Sequence, residues 1–521
     1  MAGYFFRRRG SSISSSFAWV LTASAVAWAL GACEPLDDQP ERGPDRQGEP
    51  SDGELSGWSP SELREITRGS LEESHVTRNA DVLFDEIGAR MSALPSGQEA
   101  ENFAVDRFRA YGLEDVRRET FDLLAWDRGD ARLEVRASGE DALEGTELSF
   151  LSLGHVGSFA VEGPLVDAGH GTAEEIEALG DEVDGAIVLT DVGQPEGYGR
   201  GVHRTEKITL ATEAGARGFI QVNTSEGPLV PVGVATLGDE PAEIPAVAGN
   251  RATGEALREA LAEGRPDVVL EVDNWMERST ADNVLGEIPG ESDEAIIVGA
   301  HLDSWDLAVG ALDNGSGTLA VLDVARALAA HAERTGERPR RTIRFALWMG
   351  EELGLYGSAA HVERHLSENT TPRYVATLNL DVVGDPTGLG AMGRPGAESL
   401  LGPVQEALAG MDRLDLSGEF STGGGIYSDH QPFLLEGIPV VSVSSRHLPE
   451  ASGVGHTHAD TRDVIDEPGI ARTAAVSAAL LWALAQEPEL PMERWDEEEI
   501  GRRLEDLGVR DPLERAGQWR W

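Results

Sequence analysis

Past residue 277 the chain settles into a regular beat: a short, almost wholly apolar run, then a longer stretch with apolar positions every three or four residues. The runs "EAIIVGAH", "TIRFALWMG", "YVATLNLDVVG" and "GIPVVSVSS" predict strands, and "GTLAVLDVARALAAH", "GSAAHVERHL", "AESLLGPVQEALAGM" and "GIARTAAVSAALLWALAQ" predict helices. Strands with no polar face must be covered on both sides, so this region reads as α/β, a mostly parallel sheet sandwiched by helices. In such sheets functional side chains gather just past the carboxyl ends of the strands.

Upstream the texture differs. Between about 62 and 118 apolar positions fall at helical spacing, as in "ADVLFDEIGARMSAL" and "EAENFAVDRFRAYGL", and "RLEVRA" and "ELSFLSL" then read as strands. From 151 to 276 short strands and glycine turns take over, with "GPLVDAG", "GAIVLTDVG" and "FIQVN" as strands and "KITLATEAGARG" as a helix. This segment holds no catalytic cluster and interrupts what resumes after it, so it reads as an inserted β-rich domain. Residues 62–150 and 277–488 then form the catalytic body. The tail 489–521 predicts a short helix and an extension packed on it.

Composition adds compartment and charge. Arg7, Arg8 and Arg9 precede the apolar run "FAWVLTASAVAWALGA", which predicts a secretory signal peptide over 1–32, too short for a comfortable membrane span. Cys33 is the only cysteine, so no intrachain disulfide can form. The words "LGAC" resemble the lipobox of bacterial lipoproteins, which implies lipidation at Cys33 and an exported chain anchored to the cell envelope, periplasmic or on the outer surface. Residues 33–61 are rich in Pro, Gly and acid, a flexible tether.

Carboxylates outnumber Lys and Arg by 92 to 43, for a net charge of −49, which sets nucleic acid and anionic membrane surfaces aside as partners. Removing a signal peptide with three arginines and no acid would take −49 to −52. Lys207 is the sole lysine. The acidity fits a solvated surface or adaptation to a salty medium, and stability measured against salt separates the two.

Each predicted strand delivers a metal-ligand type at its carboxyl end. "AIIVGA" releases His301, Asp303 and, after a glycine-rich loop, Asp313; "TIRFALWMG" releases Glu351 and Glu352; "YVATLNL" releases Asp381; "VVSVSS" leads to His456 and His458. Imidazole and carboxylate are what zinc accepts, and two histidines with three carboxylates can serve two ions if one carboxylate bridges. A further carboxylate must take the proton of an attacking water, and Glu351 is placed for that. Alone, each has an ordinary reading: a hydrogen-bonded loop histidine, acids at a helix start, a helix-capping aspartate. Together, from four strand ends in one sheet, they point to a metal site.

The words "GAHLDSWDLAVGALDNGSG", "LWMGEELGLYGS", "NLDVVG" and "HTHADT", with the weaker "WDRGDARLEV" and "YGRGVHRTEKITLATEAGA", resemble the co-catalytic zinc exopeptidases of aminopeptidase and glutamate carboxypeptidase type, nearest the carboxypeptidase Q branch. The insert resembles a protease-associated domain. The resemblance implies the zinc-peptidase fold and two Zn2+ per chain. His301 and Asp381 would then be ligands, Asp313 the bridge, Glu352 and His456 the ligands of the second ion, Glu351 the general base, and Asp303 the support of His301. It also implies short peptide substrates and raises a homodimer. Many relatives carry a tyrosine before the last histidine to steady the oxyanion; this chain has Gly455 there, leaving His458 or Tyr427 as candidates. Asp429 and His430 in "YSDHQPF" read as structural, and Asp306 has no role. A general aminopeptidase, a metal-free receptor or scaffold, and a glutaminyl cyclase on the same fold are the rivals.

Overall fold

The structure is a computed structural model that describes residues 57–521, apart from 138, 139, 142, 144, 145, 147, 368–372 and 412. The expected signal peptide, Cys33 and most of the tether lie outside the described residues. The first helix, Pro60–Glu72, starts two residues before the expected boundary, because Ser59 and Glu62 close a capping box and Trp58 is already buried.

Among the described residues twelve strands carry the architecture: β1 Glu114–Ala137, β2 Phe150–Ser152, β3 Phe159–Asp167, β4 Ile187–Asp191, β5 Gly218–Val222, β6 Ala246–Gly249, β7 Asp267–Ile288, β8 Glu294–His301, β9 Thr342–Trp348, β10 Arg373–Asn379, β11 Asp385–Ala391 and β12 Val440–Arg446. A two-residue strand, Glu140–Asp141, pairs only with β1. The order is β11-β12-β10-β8-β9-β7-β3-β4-β5-β6-β2, with β1 paired along β7. Strands β12, β10, β8 and β9 are parallel, and antiparallel β11 and β7 flank them.

Alternation explains how these apolar strands are sandwiched. In β8, Ile296, Val298 and Ala300 join the main core while Ala295 and Ile297 join a second one; in β9, Ile343, Phe345 and Leu347 face the first and Ala346 and Trp348 the second. The helices Ser316–Thr335 and Glu467–Gln486 supply the first core, and Val362 of helix Tyr356–Ser367 with Phe433 supplies the second. Glu467–Gln486 is apolar enough to cross a membrane by length and composition, but 83% of its most apolar stretch is buried in the protein.

The insert is joined by a ribbon. β1 and β7 run antiparallel from Glu114↔Glu287 to Arg136↔Asp267, so one pair of strands edges the catalytic sheet at one end and carries the insert's β3 at the other. The expected boundary at 276 falls inside β7. Within the insert β3, β4, β5 and β6 are parallel, closed by antiparallel β2.

Two readings of local structure change. "ADVLFDEIGARMSAL" is helical only to Ile87, where Gly88 (φ +83°) ends the turn and frees the chain to bury Arg90 and Ser92. The tail forms two helices, Glu497–Asp506 and Arg510–Arg515, and touches the insert as well as the main body: Arg515 pairs with Glu213 at 3.4 Å.

Candidate metal centre

The parallel strands β8, β9, β10 and β12 share one direction, so the loops after their carboxyl ends meet along one edge of the sheet. His301 closes β8 with its side chain 1% exposed. Its Nδ1 lies 3.1 Å from the carbonyl oxygen of Asp303. A carbonyl can only accept, so Nδ1 carries the proton and Nε2 keeps its lone pair for a cation. Nε2 stands 3.2 Å from Asp313 Oδ1, 3.3 Å from Asp381 Oδ1 and 4.0 Å from Glu351 Oε2. His456 repeats the pattern: Nδ1 is 3.2 Å from the Val232 carbonyl, and Nε2 is 3.1 Å from both Asp313 Oδ2 and Glu352 Oε2. The two oxygens of Asp313 thus face the two imidazoles, one each, as a bridging carboxylate must.

Cations fit this set. Both oxygens of Glu352 and Oδ1 of Asp381 are buried without a hydrogen bond, although imidazole nitrogens approach closely. Close approach of lone pairs without hydrogen-bond geometry is how ligands of one ion stand to one another. One atom each of His301, Glu351 and Asp381, and one each of His301, Asp313 and Glu352, lie within 4.8 Å of one another. The electrostatics agree. Burial would lower the His301 imidazole, yet Glu351, Asp381 and Asp313 hold it well above its ordinary value. Burial would likewise lower His456, and Glu352 and Asp313 hold it up. Burial pushes Glu351 well up, with Asp381, Glu352 and Asp429 adding and His301 opposing.

The glycine-rich loop after β8 is built around these candidate ligands. Gly310 has φ +53° with the Ser304 side chain against it, and at Gly317 a Cβ would fall 1.9 Å from the Leu380 carbonyl oxygen. Asn314 ties two ligand loops, donating to the Leu380 carbonyl at 3.0 Å and accepting from Gly317 N at 2.8 Å. Ser428 donates to Asp381 Oδ2 at 2.5 Å.

Asp303 acts differently from the expectation. Its carbonyl holds His301, while its carboxylate stands 3.6 Å from Nδ1, too far for a hydrogen bond, and accepts from Ser92 Oγ at 2.9 Å and Gly350 N at 3.0 Å. It is a positioning residue, joining the His301 loop to the turn that presents Glu351. His458 is exposed and makes no hydrogen bond or ion pair with any described residue. Tyr427 is built into a wall, its ring stacked on His203 of the insert at 4.3 Å; burial pushes its hydroxyl up to about 12, so it stays a donor. An added Cβ at Gly455 would lie 3.6 Å from Asp313 Oδ2, so that position borders the bridge.

Several residues here had no assigned role in the sequence. Asp306 forms a two-pronged pair with Arg128, 2.7 Å from Nε and 2.8 Å from Nη2, and Arg128 also donates to the Ser152 carbonyl. Asp460, inside "HTHADT", accepts from Leu312 N at 2.6 Å and Asp313 N at 3.0 Å. Burial pushes its carboxyl up to about 6, against those amides. Arg90, wholly buried, donates to the carbonyls of Leu302, Gly88, Val309 and Gly310 and so braces the same loop. Asp429, read as structural from the sequence, is buried, and burial pushes it up to about 7, with Asp381 and Asp303 adding.

Comparison with known proteins bears on this geometry. Residues 283–481 match peptidase family M28 and residues 161–257 match the PA domain. The chain is 27% identical over 426 residues to carboxypeptidase Q of Mus musculus, covering 78% of this chain and 85% of that protein. It is 32% identical over 206 residues to probable leucine aminopeptidase 2 of Trichophyton verrucosum (strain HKI 0517), covering 39% of each. The crystal structure of a peptidase M28 precursor from Shewanella amazonensis SB2B superposes with a TM-score of 0.68 at 22% identity, over 84% of this chain and 99% of that one.

Proposed function

We propose that this chain, which belongs to the co-catalytic zinc exopeptidases of peptidase family M28 and carries an inserted PA domain, removes one amino acid at a time from dipeptides and other short peptides with two zinc ions. The observation that carries the reading is Asp313 standing between His301 Nε2 and His456 Nε2 at 3.2 and 3.1 Å, with Asp381 and Glu352 completing the two sides. Zinc held there lowers the pKa of water and polarises a carbonyl.

The chain's own residues do the rest. Glu351, with Oε2 4.0 Å from His301 Nε2, takes the proton of the attacking water and passes it to the leaving amine. Asp303, Asp460 and Arg90 keep the ligand loops from shifting. Of the two oxyanion candidates, Tyr427 is the one held in place, by its stacking on His203, and it keeps its proton. Full wild-type zinc content with hydrolysis lost about 10²–10⁴-fold in Glu351→Gln is the expected result. A wild type that binds no zinc and cleaves no peptide would overturn the reading in favour of a scaffold.

The second reading, a general aminopeptidase, is favoured by the 32% identity over 206 residues to a probable leucine aminopeptidase. Peptides blocked at one terminus or the other separate the two. The product assay also tests for cyclised N-terminal glutamine. From the sequence alone we infer export and an envelope anchor at Cys33; incorporation of labelled palmitate into wild type but not Cys33→Ser tests it.

A further inference from the structure

Tyr427 is held in a backbone conformation that its own side chain disfavours. Its φ is +74°, in the left-handed region that suits glycine. Gly423, Gly424 and Gly425, just upstream, carry no side chains that could fix it. Among the described residues one group takes the Tyr427 N–H: the side-chain Oε1 of Gln431, at 2.7 Å. Gln431 is 3% exposed and opens the short helix Gln431–Leu435. A backbone N–H can only donate, so the oxygen of that amide faces Tyr427 and its NH2 faces the other way. There Gln518 Oε1 accepts it at 2.6 Å. One buried side chain thus links the site wall to the C-terminal tail.

The tail grips both halves of that wall. On the Tyr427 side, Leu504 and Leu513 pack with Leu434, and Ile426 lies against them. Gln518 N donates to the Leu513 carbonyl at 2.8 Å, which fixes the residue that receives Gln431. On the insert side, Arg515 pairs with Glu213 at 3.4 Å and stands 3.9 Å from Glu206, both on the helix Arg204–Glu213 that follows His203. Between these supports the Tyr427 and His203 rings lie 4.3 Å apart and 16° from parallel. The Tyr427 hydroxyl makes no hydrogen bond with any described residue, so its proton is left for a bound molecule.

We propose that Gln431 is a positioning residue for peptide hydrolysis: its side-chain oxygen fixes the backbone of Tyr427, so that the phenol hydroxyl stands where the oxyanion forms, and the tail keeps Gln431 in place. This rests on the reading of Tyr427 as the oxyanion donor and deepens it. A hydrogen bond to an oxyanion is made only in the transition state. Misplacing its donor therefore lowers kcat and leaves KM nearly as it was.

The test pairs Gln431→Met, which removes the acceptor at nearly constant size, with Gln431→Glu, which keeps it, each alone and combined with Tyr427→Phe. Zinc-loaded full-length protein is assayed on a dipeptide, and hydrogen exchange of the Tyr427 amide is measured beside it. Gln431→Met should exchange that amide about 10-fold faster and lose about 10-fold in kcat, with KM and zinc content unchanged. Gln431→Glu should stay near wild type in both. Tyr427→Phe should lose about 10²–10³-fold in kcat, and adding Gln431→Met to it should cost nothing more. Losses that multiply in the double variant overturn the proposal, as does unchanged exchange. Loss of zinc in Gln431→Met also overturns it, by making Gln431 a support of Asp381 through Ser428. A Tyr427→Phe enzyme as fast as wild type fails the oxyanion reading, and the proposal with it. A wild type that cleaves nothing fails the exopeptidase reading on which both stand.

Discussion

Asp460→Asn is a small change with a large expected effect, because Asp460 governs the backbone of Asp313, the proposed bridging ligand. The residue is 3% exposed, and its two oxygens accept from Leu312 N and Asp313 N at 2.6 and 3.0 Å. Asparagine keeps the shape and one acceptor but turns an NH2 toward the other backbone N–H. One charge-assisted bond is lost, about 1.5–3 kcal/mol, and one buried amide is left unpaired, about 1–3 kcal/mol. Local relaxation takes up part of this, so a fall of about 3 kcal/mol in unfolding free energy is expected. The disturbed amides belong to Asp313 and its neighbour, so zinc affinity should fall as well, by about 10–100-fold, as when groups behind metal ligands are removed. Zinc competition against a chelator of known affinity, run beside urea unfolding, measures both. An Asp460→Asn protein with wild-type zinc affinity would show that Arg90 and Asn314 hold the loop unaided, and would refute the role given to Asp460.

Two more predictions come from contacts outside the ligand set. Asp306→Asn weakens the pair with Arg128, whose side chain is only 9% exposed; a loss of about 1–3 kcal/mol is expected, read as a lower urea midpoint, and an unchanged midpoint would deny that this pair braces the loop. His365 packs on the Tyr374 ring at 4.3 Å, and burial, with His361 and Arg344 adding, pushes its imidazole down to about 4. An unfolded chain takes up that proton near pH 6.5, so between about 6.5 and 4 the unfolded state binds more protons and stability falls as pH falls. With its partial exposure discounted, the effect is about 1 kcal/mol. His365→Gln should have a shallower slope of urea midpoint against pH over that window; equal slopes would exclude His365 as a source.

The proposed metal ligands were legible because each apolar run ends abruptly in a residue that the core would reject. β8 passes from Val298 to His301 and β10 from Leu378 to Asp381, and a parallel sheet puts such endings on one edge. Strand β11, "DPTGLGA", was not legible: it has proline and glycine where a strand pattern wants branched residues, and it forms by pairing antiparallel to β12. Arg90 was hidden for a different reason. It sits in a run with helical spacing, and what takes it out of the helix is a set of carbonyls more than two hundred positions away. Periodicity records which face of an element is buried and carries no information on such partners. Asp460 lay inside a recognised motif, but only coordinates reveal that its carboxylate receives the amides of Leu312 and Asp313.

The insert is the deeper case. Read along the chain, 151–276 holds no chemistry and looks separable. In space it meets the centre at two points, Val232 fixing the tautomer and backbone of His456 and His203 stacking on Tyr427, and the ribbon that joins it adds a third, Arg128 of β1 pairing with Asp306. His456 has φ +58°, an unfavourable conformation for a side-chain residue, and the two Val232 contacts hold it there. With the proposed ligand His456 kept in place by another domain, metal binding would depend on how that domain is seated. Division of labour follows from the topology: parallel strand ends place the proposed ligands, and the insert braces one of them, His456, through Val232.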